Sequence, residues 1–262
     1  GNVDKKIILV YNTNYISIIA NYIIIGGTCI MEKQFISIQG IPAILWGTTA
    51  DKLYIYVHGQ GGNKEEAITL ADRLCPYGCQ ILSIDLPTHG SRQSEAIPLV
   101  PWTVVPELAC IMSYSQENWP EISLFANSIG AWFSMLSLKD APLQNCLFVY
   151  PILDMELLIS DLMASANISE AQLQQAGQLP TACGHILDWN YWLYVKKHPI
   201  TKWDVPTKIL YGTADHLTSP DTLRNFSQRF NCMVTVMEKG EHWFHTQQQL
   251  DFLNKWLINN FC

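Results

Sequence analysis

The stretch Ile122-Ser-Leu-Phe-Ala-Asn-Ser-Ile-Gly-Ala131 decides how this chain is read. Its first residues form a mostly apolar run of the kind buried on both faces of a parallel sheet. Small residues, Ala126, Gly130 and Ala131, then surround Ser128, and an apolar helical pattern continues over Ile129–Leu138. A strand that runs straight into a helix needs small neighbours at the joint, because the backbone there is strained and the two elements must approach closely. The joint also lifts the serine hydroxyl to a helix N-terminus, where free N–H groups and the helix dipole favour a developing negative charge. An alanine, Ala126, stands where the usual G-x-S-x-G pattern has its first glycine. The stretch alone therefore leaves two readings, a nucleophile or a polar residue in a small-residue turn.

Outward from this joint, short β-branched and aromatic runs alternate with longer helical patterns, the signature of a mostly parallel sheet covered by helices. Strands are predicted at Leu53–Val57, Gln80–Ile84, Ile122–Phe125, Leu147–Tyr150, Lys208–Tyr211 and Met233–Met237, each apolar enough to be buried on both faces. Helices are predicted at Lys64–Leu74, Val104–Glu117, Ile129–Leu138, Ser219–Phe230 and Thr246–Asn259, the last with Leu250, Leu253 and Leu257 on one side. Before residue 52 the runs Lys6–Val10, Tyr15–Ile25 and Glu32–Leu45, punctuated by Gly26-Gly27 and Gly40, predict an antiparallel edge. More than fifty residues separate Tyr150 from Lys208, far beyond an ordinary connection, so an inserted element is expected there. Met155, Leu158, Leu162 and Met163 recur at helical spacing, Asn167-Ile168-Ser169 offers a helix start, and Trp189, Tyr191, Trp192, Tyr194 and Trp203 follow. The expectation is one domain over 1–262 with a helical cap at about 152–204.

Length and composition limit the alternatives. A chain of 262 residues that is 48% hydrophobic and 15% charged has ample material for one large core. Its formal charge of −7, with 16 basic residues scattered among 23 acidic ones, argues against nucleic acid or an anionic membrane as partner. Eight cysteines with no C-x-x-C pair suggest neither a zinc ribbon nor a disulfide scaffold, and free thiols in a cytoplasmic protein are expected. The apolar stretch Tyr15–Met31 is interrupted by Asn21, Gly26 and Gly27 and is too broken to span a membrane. No basic segment followed by a cleavage site is visible, while the start at Gly1 leaves a removed N-terminal segment open. The oligomeric state is not legible.

Further motifs lie at the carboxyl ends of the other predicted strands. His58-Gly-Gln-Gly-Gly62 follows the first, Asp85-Leu-Pro-Thr-His-Gly90 the second, Tyr211-Gly-Thr-Ala-Asp215 a later one, and Lys239-Gly-Glu-His242 the last. This is the edge where a parallel sheet collects its active site. With H-G-x-G-G, D-x-P-x-H-G, A-x-S-x-G, G-x-x-D and G-x-H in this order, the chain resembles the α/β-hydrolase superfamily from about residue 36 to its C-terminus. The resemblance implies a three-layer α/β fold with Ser128 as nucleophile, Asp215 as acid and His242 as base. It further implies an oxyanion hole from the backbone N–H groups of Gln60 and Ile129. The chemistry is then acyl transfer to water from a small to medium ester, thioester or amide, with no metal or organic cofactor.

Competing assignments remain within the sequence. Asp154, just past a preceding strand, rivals Asp215, and His245 rivals His242. His58 and His89 are expected to bond loop backbone beneath the site, and His185, His198 and Asp188 lack the close spacing of a metal site. Met155, Leu158, Met163, Trp189 and Trp192 are candidates to line an apolar pocket over Ser128, although aromatics at this density also pack a cap onto a main domain. Two other functions stay open: a prolyl-aminopeptidase-like enzyme, which needs a carboxylate among Asp154, Glu156, Asp161 and Asp188 to hold a free amine, and a catalytically silent binding protein.

Overall fold

The apolar runs pair into one sheet in a computed structural model that describes residues 7–12, 15–20, 31–182 and 184–261. The strands and helices in chain order are β1 (Ile7–Asn12), β2 (Tyr15–Ala20), β3 (Lys33–Ile38), β4 (Ile41–Trp46), β5 (Lys52–Val57), α1 (Ile68–Leu74), β6 (Cys79–Ile84), α2 (Pro101–Asn118), β7 (Glu121–Asn127), α3 (Ile129–Leu138) and β8 (Cys146–Val149). They continue with α4 (Met155–Ser165), α5 (Glu170–Ala176), β9 (Gln178–Pro180), β10 (Ile186–Asp188), α6 (Trp189–Lys197), β11 (Thr207–Gly212), α7 (Pro220–Arg229), β12 (Met233–Met237) and α8 (Gln247–Asn260). The sheet order is β1-β2-β3-β4-β6-β5-β7-β8-β11-β12. Strands β1 to β4 run antiparallel to their neighbours, β4 against β6 included, and β6, β5, β7, β8, β11 and β12 are parallel. The antiparallel edge and parallel body are as the sequence predicts, while the Gly26-Gly27 turn lies outside the described residues.

Side chains on β5 show how the two-residue period of a strand builds both cores. Leu53, Ile55 and Val57 join the buried cluster that contains Val104 and Leu108 of α2 and Trp132 of α3. Tyr54 and Tyr56 face the other cluster, with Leu70 and Leu74 of α1 and Leu253, Trp256 and Leu257 of α8. Helix starts follow from local chemistry. Thr246 and Gln249 form a capping box on α8, Ser169 and Gln172 another on α5, and Ser219 caps α7 ahead of Pro220.

Three expectations need correction. The predicted helix Lys64–Leu74 begins as a 3₁₀ turn over Lys64–Ala67, held at its start by the Asn63 side chain, and becomes α-helical only from Ile68. Strand β12 is the sheet edge, so Met233, Val234 and Val236 are exposed and not buried on both faces. The inserted segment between β8 and β11 is not purely helical: β9 and β10 pair as a short antiparallel ribbon between α5 and α6. Each ribbon strand is three residues long, too short to leave a two-residue period.

The chain passes from β5 outward to β6 and then crosses back to β7 on the opposite side of β5. A reversal of this kind opens a crevice at the carboxyl ends of the two central strands. Val57 and Ala126 are register partners, so the loop after β5 and the joint after β7 emerge side by side.

Candidate active site

Ser128 occupies the joint between β7 and α3 with φ +49° and ψ −124°, a conformation that costs a non-glycine residue about 1–3 kcal/mol. Surrounding bonds hold it there. Its N–H donates to the Val149 carbonyl at 3.2 Å, and its carbonyl accepts from Ile152 at 3.0 Å and Ala131 at 3.1 Å. The helix presses so tightly on the end of β5 that a Cβ on Gly130 would lie 2.5 Å from the His58 carbonyl oxygen and 2.7 Å from that of Val57. Ala126 is fully buried between its register partners Val57 and Phe148, so its methyl group is accommodated at the first small position.

Asp215 and His242 arrive from the turns after β11 and β12. These turns touch at Gly212, where a Cβ would meet the Gly240 carbonyl oxygen at 2.2 Å, and Ala214 donates to that same oxygen at 2.8 Å. The contact brings His242 Nδ1 within 2.9 Å of Asp215 Oδ2, while His242 Nε2 lies 2.7 Å from Ser128 Oγ. The Asp215 side chain is fully buried, and its second oxygen accepts from the Leu217 and Thr218 amides at 2.8 and 3.1 Å. The Tyr150 ring packs 5.4 Å from the imidazole. Of the rivals, Asp154 caps α4 by accepting from Leu157, and His245 meets the Trp243 carbonyl and Glu241. Neither is bonded to Ser128 or His242.

The loop after β5 carries Gln60, and Ile129 is the first residue of α3, whose N–H has no acceptor within its own helix. Both residues line a cavity with Ser128. Two histidines hold this loop. His58 Nε2 accepts from the Leu86 amide at 3.0 Å, His89 Nε2 accepts from the Gly61 amide at 2.9 Å, and each ring bonds a backbone carbonyl through Nδ1. Burial pushes the His58 pKa down to about 4, so the ring is neutral and keeps its acceptor nitrogen. Below them the fully buried Asp85 carboxylate bonds Lys64 Nζ, the Lys64 amide and both the amide and hydroxyl of Ser91. Burial alone would raise the Asp85 pKa, but the bonds from Lys64 and Ser91 outweigh it and hold the carboxyl below its usual range.

A cavity of about 240 Å³ extends from Ser128 beneath the inserted segment. Met155 and Leu158 line it, joined by Leu99, Ile152, Ile159, Leu162, Ile186 and Tyr191. Met163, Trp189 and Trp192 do not: Met163 and Trp192 are buried in the core and Trp189 packs against it. Aromatic residues of α6 mostly dock the segment, with Tyr191 stacked on Trp132 and both Tyr191 and Tyr194 against Trp102. Trp203 belongs to the main core, stacked on Phe148. Among the wall residues missed by sequence reading, Leu99, Ile152, Ile159 and Ile186 carry no signal other than apolarity, and His185 and Asp188 also line the cavity. Among the described residues no group of three His, Cys, Asp or Glu side chains could hold a metal ion, and no helix is long and apolar enough to cross a membrane.

A family model described as the alpha/beta hydrolase fold matches residues 113–248, about half of the chain, which spans the serine joint, Asp215 and His242. The chain belongs to the α/β-hydrolase family. Solved structures of the same fold include Est1E from Butyrivibrio proteoclasticus with bound ferulic acid, at 17% identity and TM-score 0.69, covering 86% of this chain and 96% of that one. Alpha/beta hydrolase domain-containing protein 10 from mouse matches at 12% identity and TM-score 0.69, covering 87% and 97%. A thioesterase domain from the curacin biosynthetic pathway matches at 17% identity and TM-score 0.57, covering 88% and 100%. No curated protein sequence matches the chain. At these identities the likeness is one of fold.

Proposed function

We propose that this chain is a serine hydrolase that cleaves a small to medium ester, thioester or amide with an apolar acyl group, through an acyl-enzyme and without a metal or organic cofactor. One observation carries the reading: an unbroken bond sequence from Asp215 Oδ2 through His242 to Ser128 Oγ, with the serine held in a strained conformation at a helix N-terminus. His242 Nε2 takes the hydroxyl proton as Ser128 Oγ attacks the carbonyl carbon, while Asp215 orients the ring and stabilises its cation. The Gln60 and Ile129 amides receive the oxyanion, a contribution worth on the order of a hundred- to a thousandfold in turnover per donor. His242 then passes its proton to the leaving atom, and water repeats the sequence to release the acid.

Substrate class follows from the cavity. About 240 Å³ walled mostly by Leu, Ile and Met side chains, with Tyr191, His185 and Asp188 also in the lining, accepts an aliphatic or small aromatic acyl group, with the inserted segment acting as a cap. Est1E, a relative in fold, has been seen with ferulic acid, and another relative is a thioesterase domain, which suits both carbonyl classes. The aminopeptidase reading is less well supported. Asp154 caps α4 and Glu156 and Asp161 are exposed on it, while Asp188 lines the cavity with Ser128 but has both oxygens engaged, by the Tyr191 amide as the α6 cap and by Gln178 Nε2. The thiols of Cys75, Cys110, Cys146 and Cys232 are free among the described residues, which suits a reducing compartment such as the cytoplasm.

The test is turnover of p-nitrophenyl butanoate and hexanoate together with labelling by a fluorophosphonate probe. Both are expected for the native chain, and Ser128→Ala abolishes both. A folded protein that shows neither turnover nor labelling would end the serine-hydrolase reading, and faster cleavage of proline naphthylamide than of a neutral ester of similar size would favour the peptidase.

A further inference from the structure

Two cavities meet at Ser128, and their chemistry differs. The apolar one is described above. A second, of about 310 Å³, shares only Gln60 and Ser128 with it and is otherwise lined by the glycines of the Gly59–Gly62 loop, Glu66, Asn127, Tyr150, His242 and Trp243. His242 therefore faces only the second cavity and Ile129 only the first. A general acid must come within hydrogen-bond reach of the atom it protonates, so the leaving group departs on the His242 side. The acyl group is left with the apolar side.

The His242 side carries a carboxylate without a cation. Glu66 forms no ion pair among the described residues, and the nearby Lys64 is committed to Asp85 and Glu65. Glu66 Oε2 is 3.4 Å from the Tyr56 hydroxyl, which itself accepts from Asn127 Nδ2 at 3.2 Å. The Glu66 side chain is exposed to solvent at the cleft, where a ligand can reach it, and partial burial raises its carboxyl above the usual pKa. The loop touches both ends of the cleft. A Cβ on Gly59 would lie 3.0 Å from Ser128 Cβ, and one on Gly62 would lie 2.8 Å from Glu66 Oε2. Glu66, Ser128 and His242 line the same cleft, so a leaving group that fills it meets the carboxylate. Two aromatic rings, Tyr150 beside His242 and the exposed indole of Trp243, complete the wall, and aromatic faces attract cations. The formal net charge of −7 acts in the same direction on a positively charged substrate.

We infer that this cleft is a leaving-group subsite for a positively charged amine, so that the preferred substrates are esters of an ammonium-bearing alcohol with an apolar acid. The inference rests on the proposed serine-hydrolase reading and specifies its leaving group. In the first step the Ser128 Oγ–carbonyl bond forms and the ester C–O bond breaks. The serine proton travels through His242 Nε2 to the departing alkoxide, which leaves as the neutral-oxygen ammonium alcohol.

The experiment compares two hexanoate esters of matched shape, 2-(trimethylammonio)ethyl and its uncharged carbon isostere 3,3-dimethylbutyl. The charged ester is expected to have a kcat/KM higher on the order of tenfold, and the advantage should shrink as salt is raised. In Glu66→Gln and in Trp243→Ala the ratio of the two should fall toward one. Because the ratio is internal to each variant, a general loss of activity cancels. Equal turnover of both esters by the native chain overturns the subsite while leaving the hydrolase reading intact. Preference for the glyceryl ester over both overturns it in favour of a neutral polyol. Absence of turnover on every ester together with absence of fluorophosphonate labelling overturns the hydrolase reading itself.

Discussion

Replacing Asp215 by Asn tests the arrangement with little change of shape, and the bonds around the side chain decide what the amide must do. Asp215 Oδ1 accepts from two backbone N–H groups, those of Leu217 and Thr218, while Oδ2 accepts from His242 Nδ1. An asparagine has one acceptor oxygen and one NH₂ group. Placing the NH₂ toward Leu217 and Thr218 would set donor against two donors and strand both amides, at about 1–3 kcal/mol each. The oxygen therefore stays with the backbone and the NH₂ faces His242. Its ring must then present Nδ1 as acceptor and carry its proton on Nε2, the nitrogen 2.7 Å from Ser128 Oγ. That nitrogen can no longer accept the serine proton. Loss of the correct tautomer costs about 10⁴ in turnover in serine proteases of known mechanism, equivalent to about 5.5 kcal/mol at the transition state. The assay is steady-state hydrolysis of p-nitrophenyl hexanoate, with chemical unfolding as control. Asp215→Asn is expected to lose three to four orders of magnitude in kcat while its unfolding free energy moves by about 1 kcal/mol, as for one altered hydrogen bond. A variant that keeps more than a tenth of native kcat would refute the assigned role of Asp215.

Other expectations follow from particular contacts. Ala126→Val adds two carbons to a fully buried position between Val57 and Phe148, so it should cost about 1–3 kcal/mol of stability and lower kcat by displacing the serine; full activity would refute the tight-joint account. Leu158→Trp fills part of the apolar cavity and should shift the preferred p-nitrophenyl ester toward shorter acyl chains, at about 0.8 kcal/mol per methylene excluded; an unchanged chain-length profile would place the acyl group elsewhere. His58 has a folded pKa of about 4, below the usual 6.5, so the unfolded chain binds its proton first as pH falls. Its contribution is therefore full above about pH 6.5 and declines toward pH 4, by about 1.4 kcal/mol per unit and about 3 in all. An NMR titration of the His58 ring with a midpoint near 6.5 would contradict this.

The parallel body of the fold and the order of its motifs were legible because both are local properties. Strands such as β5 and β8 read as apolar runs, and β7-Ser128-α3 reads as a strand meeting a helix through small residues. The rivalry between Asp215 and Asp154 was not legible, since both follow a strand and both end beside a helix. What brings Asp215 and not Asp154 to His242 is a contact between Gly212 and Gly240, twenty-eight positions apart, that no periodicity encodes. The ribbon β9–β10 escaped for the opposite reason: three residues per strand leave no pattern, and the pairing is decided by where the ends of α5 and α6 lie. Trp192 and Met163 illustrate a third limit. Apolarity says that a side chain is buried, but which of two apolar surroundings it enters, core or cavity, is a matter of rotation within the packed segment.

The sequence by itself determined which residue types stand at the ends of which strands, and hence that a serine, an acid, a histidine and a glycine-rich loop are available in the order of a hydrolase. Only the tertiary structure decided that His242 Nε2 lies 2.7 Å from Ser128 Oγ and 2.9 Å separates its other nitrogen from Asp215. It also decided that the serine stands between an apolar cavity and a cleft lined by Glu66, Tyr150 and Trp243. The physical reason is that residue type and spacing are carried along the chain, whereas a bond between residues 128 and 242 depends on how β7, β11 and β12 are arranged across the sheet.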